Sequence, residues 1–382
     1  MNKRLTNRSE TKRIMCGGVA IGGGAPVSIQ SMTNTNTEDI EATKAQVIAL
    51  ADAGADIVRI AVPTLDAAKA FGEIKKEIGE KGRTTPLVAD IHFDYKIALE
   101  AIKAGADKIR INPGNIGGKY RIKSVADAAG AAGIPIRIGV NSGSIEPDLK
   151  KLYESNIAKA LAESALRSVE LIKSTGFNDI VVSIKSSDVV VNTEAHKILS
   201  KETVYPLHLG ITEAGFGETG IIKSAAGIGA LLAIGIGDTI RVSLTGNPIS
   251  EIPAARDILK AVNLLPGQIS LISCPTCGRC KVDLPSLSRE IASVLKEIES
   301  KRIFEAKLKW QEKEEIERPL TVAIMGCAVN GPGEASHADL GVACGINNGV
   351  YFEKGIQICS VPYDEIAQKI IDGLTSILKA SS

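Results

Sequence analysis

The chain has 382 residues, 44% of them hydrophobic and 23% charged, with a formal net charge of +1. That composition supports a large buried core, and the absence of any long basic or acidic block argues against nucleic acid or an anionic membrane surface as a partner. No run approaches the ~18 apolar residues of a membrane span, the opening Met1-Asn2-Lys3-Arg4 has no apolar signal core behind it, and the odd, partly clustered set of cysteines fits a reducing compartment, so the chain reads as cytoplasmic.

From Val27 to Leu265 one unit recurs: an Ala-rich helix, a glycine, an aspartate and a short β-branched run. Gly54-Ala55-Asp56-Ile57, Gly105-Ala106-Asp107-Lys108 and Gly237-Asp238-Thr239-Ile240 carry it. Helix, glycine and strand in repetition mark parallel βα architecture. Strands are predicted at Val27–Met32, Asp56–Val62, Leu87–His92, Lys108–Ile111, Pro135–Val140, Ile180–Lys185, Val204–Ile211 and Thr239–Leu244. Eight strands in roughly 240 residues fit a closed (β/α)8 TIM barrel over residues 1–265 better than an open doubly wound sheet. Two glycine clusters fail as nucleotide motifs: Gly227-Ile228-Gly229 follows no strand, and Gly117-Gly118-Lys119 lacks the upstream glycine of a phosphate loop.

Side chains two apart on a strand share a face. Arg59, Arg110 with Asn112, Arg137 with Asn141, Lys185, and Arg241 with Ser243 each sit late in a barrel strand, where barrel enzymes place their sites. Five cations at one mouth are costly unless anions meet them. Asp90 and Glu213 could neutralise two, and the surplus asks for a multiply anionic ligand such as a diphosphate. His92 and His208 fall at the same strand ends as candidate ligand contacts, and Glu213, in a Gly-rich loop, is the candidate proton donor, its alternative role being to pair with an arginine.

After Pro266 the unit stops, and residues 266–382 read as a smaller α+β domain. It should hold a strand into a cysteine turn, a helix over Leu287–Ile298, a charged stretch around Lys309-Trp310 as a solvated helix face, and a strand Leu320–Met325. Three short strands between Ala338 and Val361 and a helix from Asp364 to Leu378 complete it. The turn is Cys274-Pro275-Thr276-Cys277-Gly278-Arg279-Cys280, answered by Gly326-Cys327 and the tight loop Asn330-Gly331-Pro332-Gly333-Glu334. Thiols spaced this way converge on a metal. With no second Cys or His close after Cys327 the pattern is a poor zinc ribbon. Three thiolates and one carboxylate suit a 4Fe-4S cluster with an exchangeable corner, although spacing alone would also allow Cys280 in place of Glu334. Cys16, Cys344 and Cys359 read as plain buried cysteines. A phosphate-binding barrel with a structural zinc, or a non-catalytic iron-sulfur sensor, are the rival readings.

The motifs Ser28-Ile29-Gln30-Ser31-Met32-Thr33, Asp90-Ile91-His92-Phe93-Asp94, Arg110-Ile111-Asn112-Pro113-Gly114-Asn115, Pro206-Leu207-His208-Leu209-Gly210, Cys274-Pro275-Thr276-Cys277 and Gly326-Cys327-Ala328-Val329-Asn330 together resemble the 4-hydroxy-3-methylbut-2-enyl diphosphate synthase family in its two-domain bacterial form. The resemblance covers nearly the whole chain. It implies two-electron reductive opening and dehydration of 2-C-methyl-D-erythritol 2,4-cyclodiphosphate in isoprenoid precursor synthesis. It also implies a 4Fe-4S cluster held by Cys274, Cys277, Cys327 and Glu334, electrons from ferredoxin or flavodoxin, and a homodimer whose active site joins the barrel of one subunit to the cluster domain of the other.

Overall fold

The recurring aspartate explains how neighbouring strands find their register. In the computed structural model, which describes residues 8–313, 316–327, 333 and 337–381, the Asp56 carboxylate accepts from the Ile29 backbone N–H at 2.8 Å, Asp107 from Leu87 at 2.7 Å and Asp238 from Leu207 at 2.9 Å. Each aspartate therefore ties the start of its own strand to the start of the strand beside it. The glycine before it ends the preceding helix in the left-handed region, as Gly54 does at φ 106° after the helix Ile40–Ala53.

Two compact units follow, Met1–Leu264 and Leu265–Ser382. The first opens with a hairpin, β1 (Ile14–Cys16) and β2 (Val19–Ile21). Its Cys16 and Ile21 pack with Ile57 and Val88, early in their strands, and so cover the N-terminal end of the barrel. The barrel strands are β3 (Ser28–Met32), β4 (Ile57–Ala61), β5 (Leu87–Asp90), β6 (Lys108–Ile111), β7 (Ile136–Asn141), β8 (Ile180–Lys185), β9 (His208–Leu209) and β10 (Thr239–Ile240). All pair in parallel in the order β8-β7-β6-β5-β4-β3-β10-β9, and a bridge from Val182 to Leu207 joins the two ends. This is the expected (β/α)8 barrel.

Two strands are shorter than the sequence suggests. Val204–Ile211 narrows to β9, where Pro206 has no N–H to give the ladder. The run Thr239–Leu244 narrows to β10; the Arg241 N–H still reaches the Leu209 carbonyl at 2.9 Å, and the Leu244 N–H is taken by the Glu251 carboxylate at 3.2 Å.

The second unit is a five-stranded sheet, β11 (Ile269–Ser273), β12 (Leu320–Met325), β13 (Leu340–Cys344), β14 (Asn348–Glu353) and β15 (Ile356–Pro362), in that spatial order. The first three run parallel and the last two antiparallel. The helices Leu284–Lys313 and Ile366–Ser381 contribute Leu287, Ile291, Leu295, Ile370 and Leu374 to a core with Val322, Ile324, Val342 and Tyr351. The first helix runs well past Ile298. Glu299 and Arg302 on it are buried: Glu299 accepts from the Ile269 N–H at 2.7 Å and Arg302 donates to the Gln268 carbonyl at 2.9 Å. Trp310 is buried as well, so the charged stretch is not purely a solvated face. No described helix is long and apolar enough to cross a membrane.

Candidate active site

The strand alternation of the barrel turns a set of cations inward. Arg110 and Lys185 lie late in their strands, Arg59 in the middle of β4 and Arg241 just past β10, whereas Arg137, expected late in its strand, is the second residue of β7. Arg59, Arg110 and Arg137 are each less than a tenth exposed. Asp90 stands between the first two, 3.6 Å from Arg59 Nε and accepting from Arg110 Nη1 at 3.2 Å. Burial opposes ionisation of Asp90, but the guanidiniums of Arg59 and Arg110 outweigh it and hold the carboxyl well below the usual range. Arg110 also donates to the Gly139 carbonyl at 3.4 Å. A Cβ at Gly139 would lie 2.2 Å from Arg110 Nε, so this glycine makes room for the arginine. Arg137 donates to Gln30 Oε1 at 3.3 Å, which shows that both point into the barrel.

Burial and mutual repulsion weigh on these groups. The Arg59 guanidinium is lowered to about 10, by burial first and then by Arg241 and Arg110. Lys185 is pushed well below its ordinary value by burial and by Arg59, Arg241 and Arg137. His208, fully buried with neither ring nitrogen hydrogen-bonded, is pushed well below its ordinary value by burial and by Arg137 and Lys185. His92 is half-exposed, 3.8 Å from Asp90 and 3.3 Å from Arg110, and burial lowers it too. Asn112 donates to Ser144 Oγ at 3.4 Å, and Ser144 in turn donates to the Asn141 carbonyl at 3.0 Å, so the two asparagines share one rim segment. Ser243 lies partly buried beyond the end of β10.

Glu213 behaves differently from the expectation that it neutralises a cation. It is exposed, on a loop whose backbone takes φ 52° at this residue, and its carbonyl rather than its carboxylate meets Lys223, at 3.4 Å. The carboxylate that pairs with Arg241 is Glu251, at 3.2 Å. Among the described residues, five cations thus face two buried carboxylates, Asp90 and Glu251. Sequence reasoning missed Glu251, Gln30, and Lys108, a fully buried lysine beside Cys16 that burial lowers to about 8. The alternation of β3 and β6 could have found Gln30 and Lys108. Nothing in the pattern marks Glu251.

In the second unit, parallel pairing of β11 with β12 sets both cysteine loops at the same strand ends. Cys274 and Gly326 meet there, and the Gly326 N–H donates to Cys274 Sγ at 3.3 Å. The Cys280 N–H closes the turn on the Cys277 carbonyl at 2.8 Å, and Lys281 N–H reaches the Gly326 carbonyl at 3.1 Å. A Cβ on Gly326 would lie 2.4 Å from Cys280 Sγ and 3.4 Å from Cys274 Sγ, so only glycine leaves both thiols their place. Cys280 donates its S–H to the Val282 carbonyl at 3.3 Å. Cys277 is exposed, while Cys274 and Cys327 are partly buried. Cys344 is buried as expected, and burial together with the nearby Cys280 and Cys274 raises its thiol to about 12. Among the described residues no three His, Cys, Asp or Glu side chains are gathered tightly enough for a single metal ion. Glu334 lies outside the described residues. An amide N–H aimed at a half-buried thiol, in a cradle that a Cβ would fill, suits the ligand sulfurs of an iron-sulfur cluster.

The family model described as the GcpE TIM-barrel domain matches residues 11–256, and that of the GcpE protein C-terminal domain matches residues 270–376. The chain belongs to the GcpE family. Relatives named 4-hydroxy-3-methylbut-2-en-1-yl diphosphate synthase (flavodoxin) cover it almost end to end. One from Ruminiclostridium cellulolyticum is 47% identical over 97% of this chain and 98% of that protein. One from Caldanaerobacter subterraneus is 48% identical over the same shares, and one from Pseudomonas putida is 49% identical over 91% and 88%. Among solved structures, a dihydropteroate synthase from Stenotrophomonas maltophilia aligns with a TM-score of 0.49 at 16% identity, covering 67% of this chain and 100% of that one. The GcpE family match thus spans both the cationic mouth and the cysteine turn.

Proposed function

We propose that this oxidoreductase makes 4-hydroxy-3-methylbut-2-enyl diphosphate by reducing 2-C-methyl-D-erythritol 2,4-cyclodiphosphate with two electrons. In that reaction a carbon–oxygen bond of the cyclic diphosphate opens, a carbon–carbon double bond forms and one hydroxyl leaves as water. The observation that supports this reading is the surplus of buried cations over carboxylates at the barrel mouth. A diphosphate offers the further charge and oxygens that balance Arg59, Arg110, Arg137 and Arg241 beyond what Asp90 and Glu251 supply, with Lys185 as a further point charge. His92, Asn112, Asn141, His208 and Ser243 would orient the carbon skeleton and its hydroxyls.

Cys274, Cys277, Cys327 and Glu334 would hold a 4Fe-4S cluster. That group, when bound, supplies electrons singly and a Lewis-acidic corner. Gly326 would steady the Cys274 sulfur through its N–H. Glu213 would protonate the departing hydroxyl, and its left-handed backbone is the kind of strain found at working loops. Residues 1–265 would then bind substrate and residues 266–382 deliver electrons, drawn from flavodoxin, as the relatives' names suggest, or from ferredoxin. Glu213's exposure fits a residue that meets its substrate only in a homodimer, with the cluster domain of a second subunit over the mouth. Reduced thiols committed to a cluster fit the cytoplasm.

The test is the colour, iron and sulfide content of anaerobically purified protein, followed by its reduced spin signal with and without the cyclodiphosphate. A brown protein whose signal changes with substrate supports the reading. A colourless protein with stoichiometric zinc overturns it in favour of a zinc-bearing barrel.

A further inference from the structure

Glu251 is a charged side chain with no place in the chemistry above, yet it is 2% exposed and holds Arg241 of the mouth from behind β3. It is the first residue of the helix Glu251–Ala261. Its Oε2 accepts from Ser31 Oγ at 3.0 Å and from Arg241 Nε at 3.3 Å, and its Oε1 accepts from Arg241 Nη2 at 3.2 Å and from the Leu244 N–H at 3.2 Å. One edge of the Arg241 guanidinium is therefore saturated. The free edge, carrying Nη1, turns to Met32 Sδ at 3.5 Å, the same thioether that takes Arg59 Nε and Nη2 at 2.9 and 2.8 Å. A thioether is a weak acceptor for two guanidiniums, and an oxygen of an anionic ligand is a far better one.

We propose that Glu251 is a positioning residue. Its bidentate grip, together with Ser31 and the Leu244 backbone, fixes Arg241 so that its free edge and that of Arg59 meet one phosphate oxygen of the ligand beside Met32. This rests on the diphosphate reading of the mouth. Geometry and charge make opposite demands on the site. As a negative charge in a cationic mouth Glu251 should weaken anion binding, whereas as an anchor it should strengthen it.

The experiment measures calorimetric binding of the cyclodiphosphate to anaerobic holoenzyme carrying Glu251→Asp, Arg241→Gln and both together. Asp keeps the charge but cannot reach, so the anchor predicts about a tenfold loss of affinity, the scale of a charged hydrogen bond. The double variant should bind no more weakly than Arg241→Gln alone. Unchanged affinity in Glu251→Asp, or penalties that add in the double variant, overturns the proposal. If Glu251→Asp fails to fold, Ser31→Ala with the same cycle carries the test, with a severalfold loss expected and additivity again fatal. If wild type itself does not bind the cyclodiphosphate, the failure lies with the diphosphate reading.

Discussion

At the barrel mouth the charged groups are largely buried and several are held by another side chain, Asp90 between Arg59 and Arg110, Glu251 on Arg241, Gln30 on Arg137. In the cysteine turn the chemical groups are partly or fully exposed, and the contacts that shape the turn are mostly backbone ones. The mouth is thus organised before any ligand arrives, at an electrostatic cost that an anion relieves. The turn is shaped mainly by its own backbone, which leaves Cys277 exposed. Preorganised charge suits the stabilisation of a fixed anion, whereas a turn ordered by its own ligand suits a cofactor that is built in.

That contrast can be broken most severely at Cys277. Cys277→Ser should abolish iron content and turnover while leaving cyclodiphosphate binding near wild type, measured by iron assay and calorimetry; loss of both would mean the two regions are not separable. At the mouth, Asp90→Asn strips the shared anion from two buried guanidiniums and should cost about 3–5 kcal/mol in urea unfolding at pH 7. Because the folded Asp90 titrates below its unfolded value, its contribution is present above the ordinary aspartate range near ~3.9 and is lost as pH falls from there toward the folded value. The gap between variant and wild type should therefore shrink as unfolding is repeated at progressively lower pH.

Glu213→Gln should lower turnover by about 100-fold with the cluster's spectrum and substrate affinity unchanged, since only a proton is removed. Equal loss of affinity would recast Glu213 as a binding residue. Gly326→Ala brings a Cβ to 2.4 Å from Cys280 Sγ. It should reduce iron content severalfold or shift the cluster's potential, read by electrochemistry, and leave the barrel's affinity untouched.

Much of the barrel was legible because two periodicities coincide in it: the helix-glycine-aspartate repeat located the strands, and alternation along them brought out Arg59, Arg110 and Arg137 as inward cations. The cysteine turn was legible from spacing. What escaped is what spacing cannot carry. Glu251 heads a helix, where an acidic residue is ordinary, and only the fold brings it back onto Arg241. Glu299 and Arg302 lie beyond the predicted end of their helix, and only the fold sets them against the start of β11. Of the two anions expected at the mouth, Asp90 is in place, but the second is Glu251, reached through tertiary structure, instead of Glu213, whose carbonyl meets Lys223 ten residues on.

The aspartate ties between adjacent strands have a further consequence for how the barrel assembles. Each links positions only 20 to 31 residues apart, so each closes a short loop that a growing chain can form early. Side chains alternate along a strand, and a slip of one residue would turn the mouth cations outward and also pull a carboxylate from its backbone N–H. The three aspartates thus fix the alignment of neighbouring βα units locally: those of β4 and β6 can do so before the ring is complete, whereas Asp238, on the last strand, does so only as the ring closes.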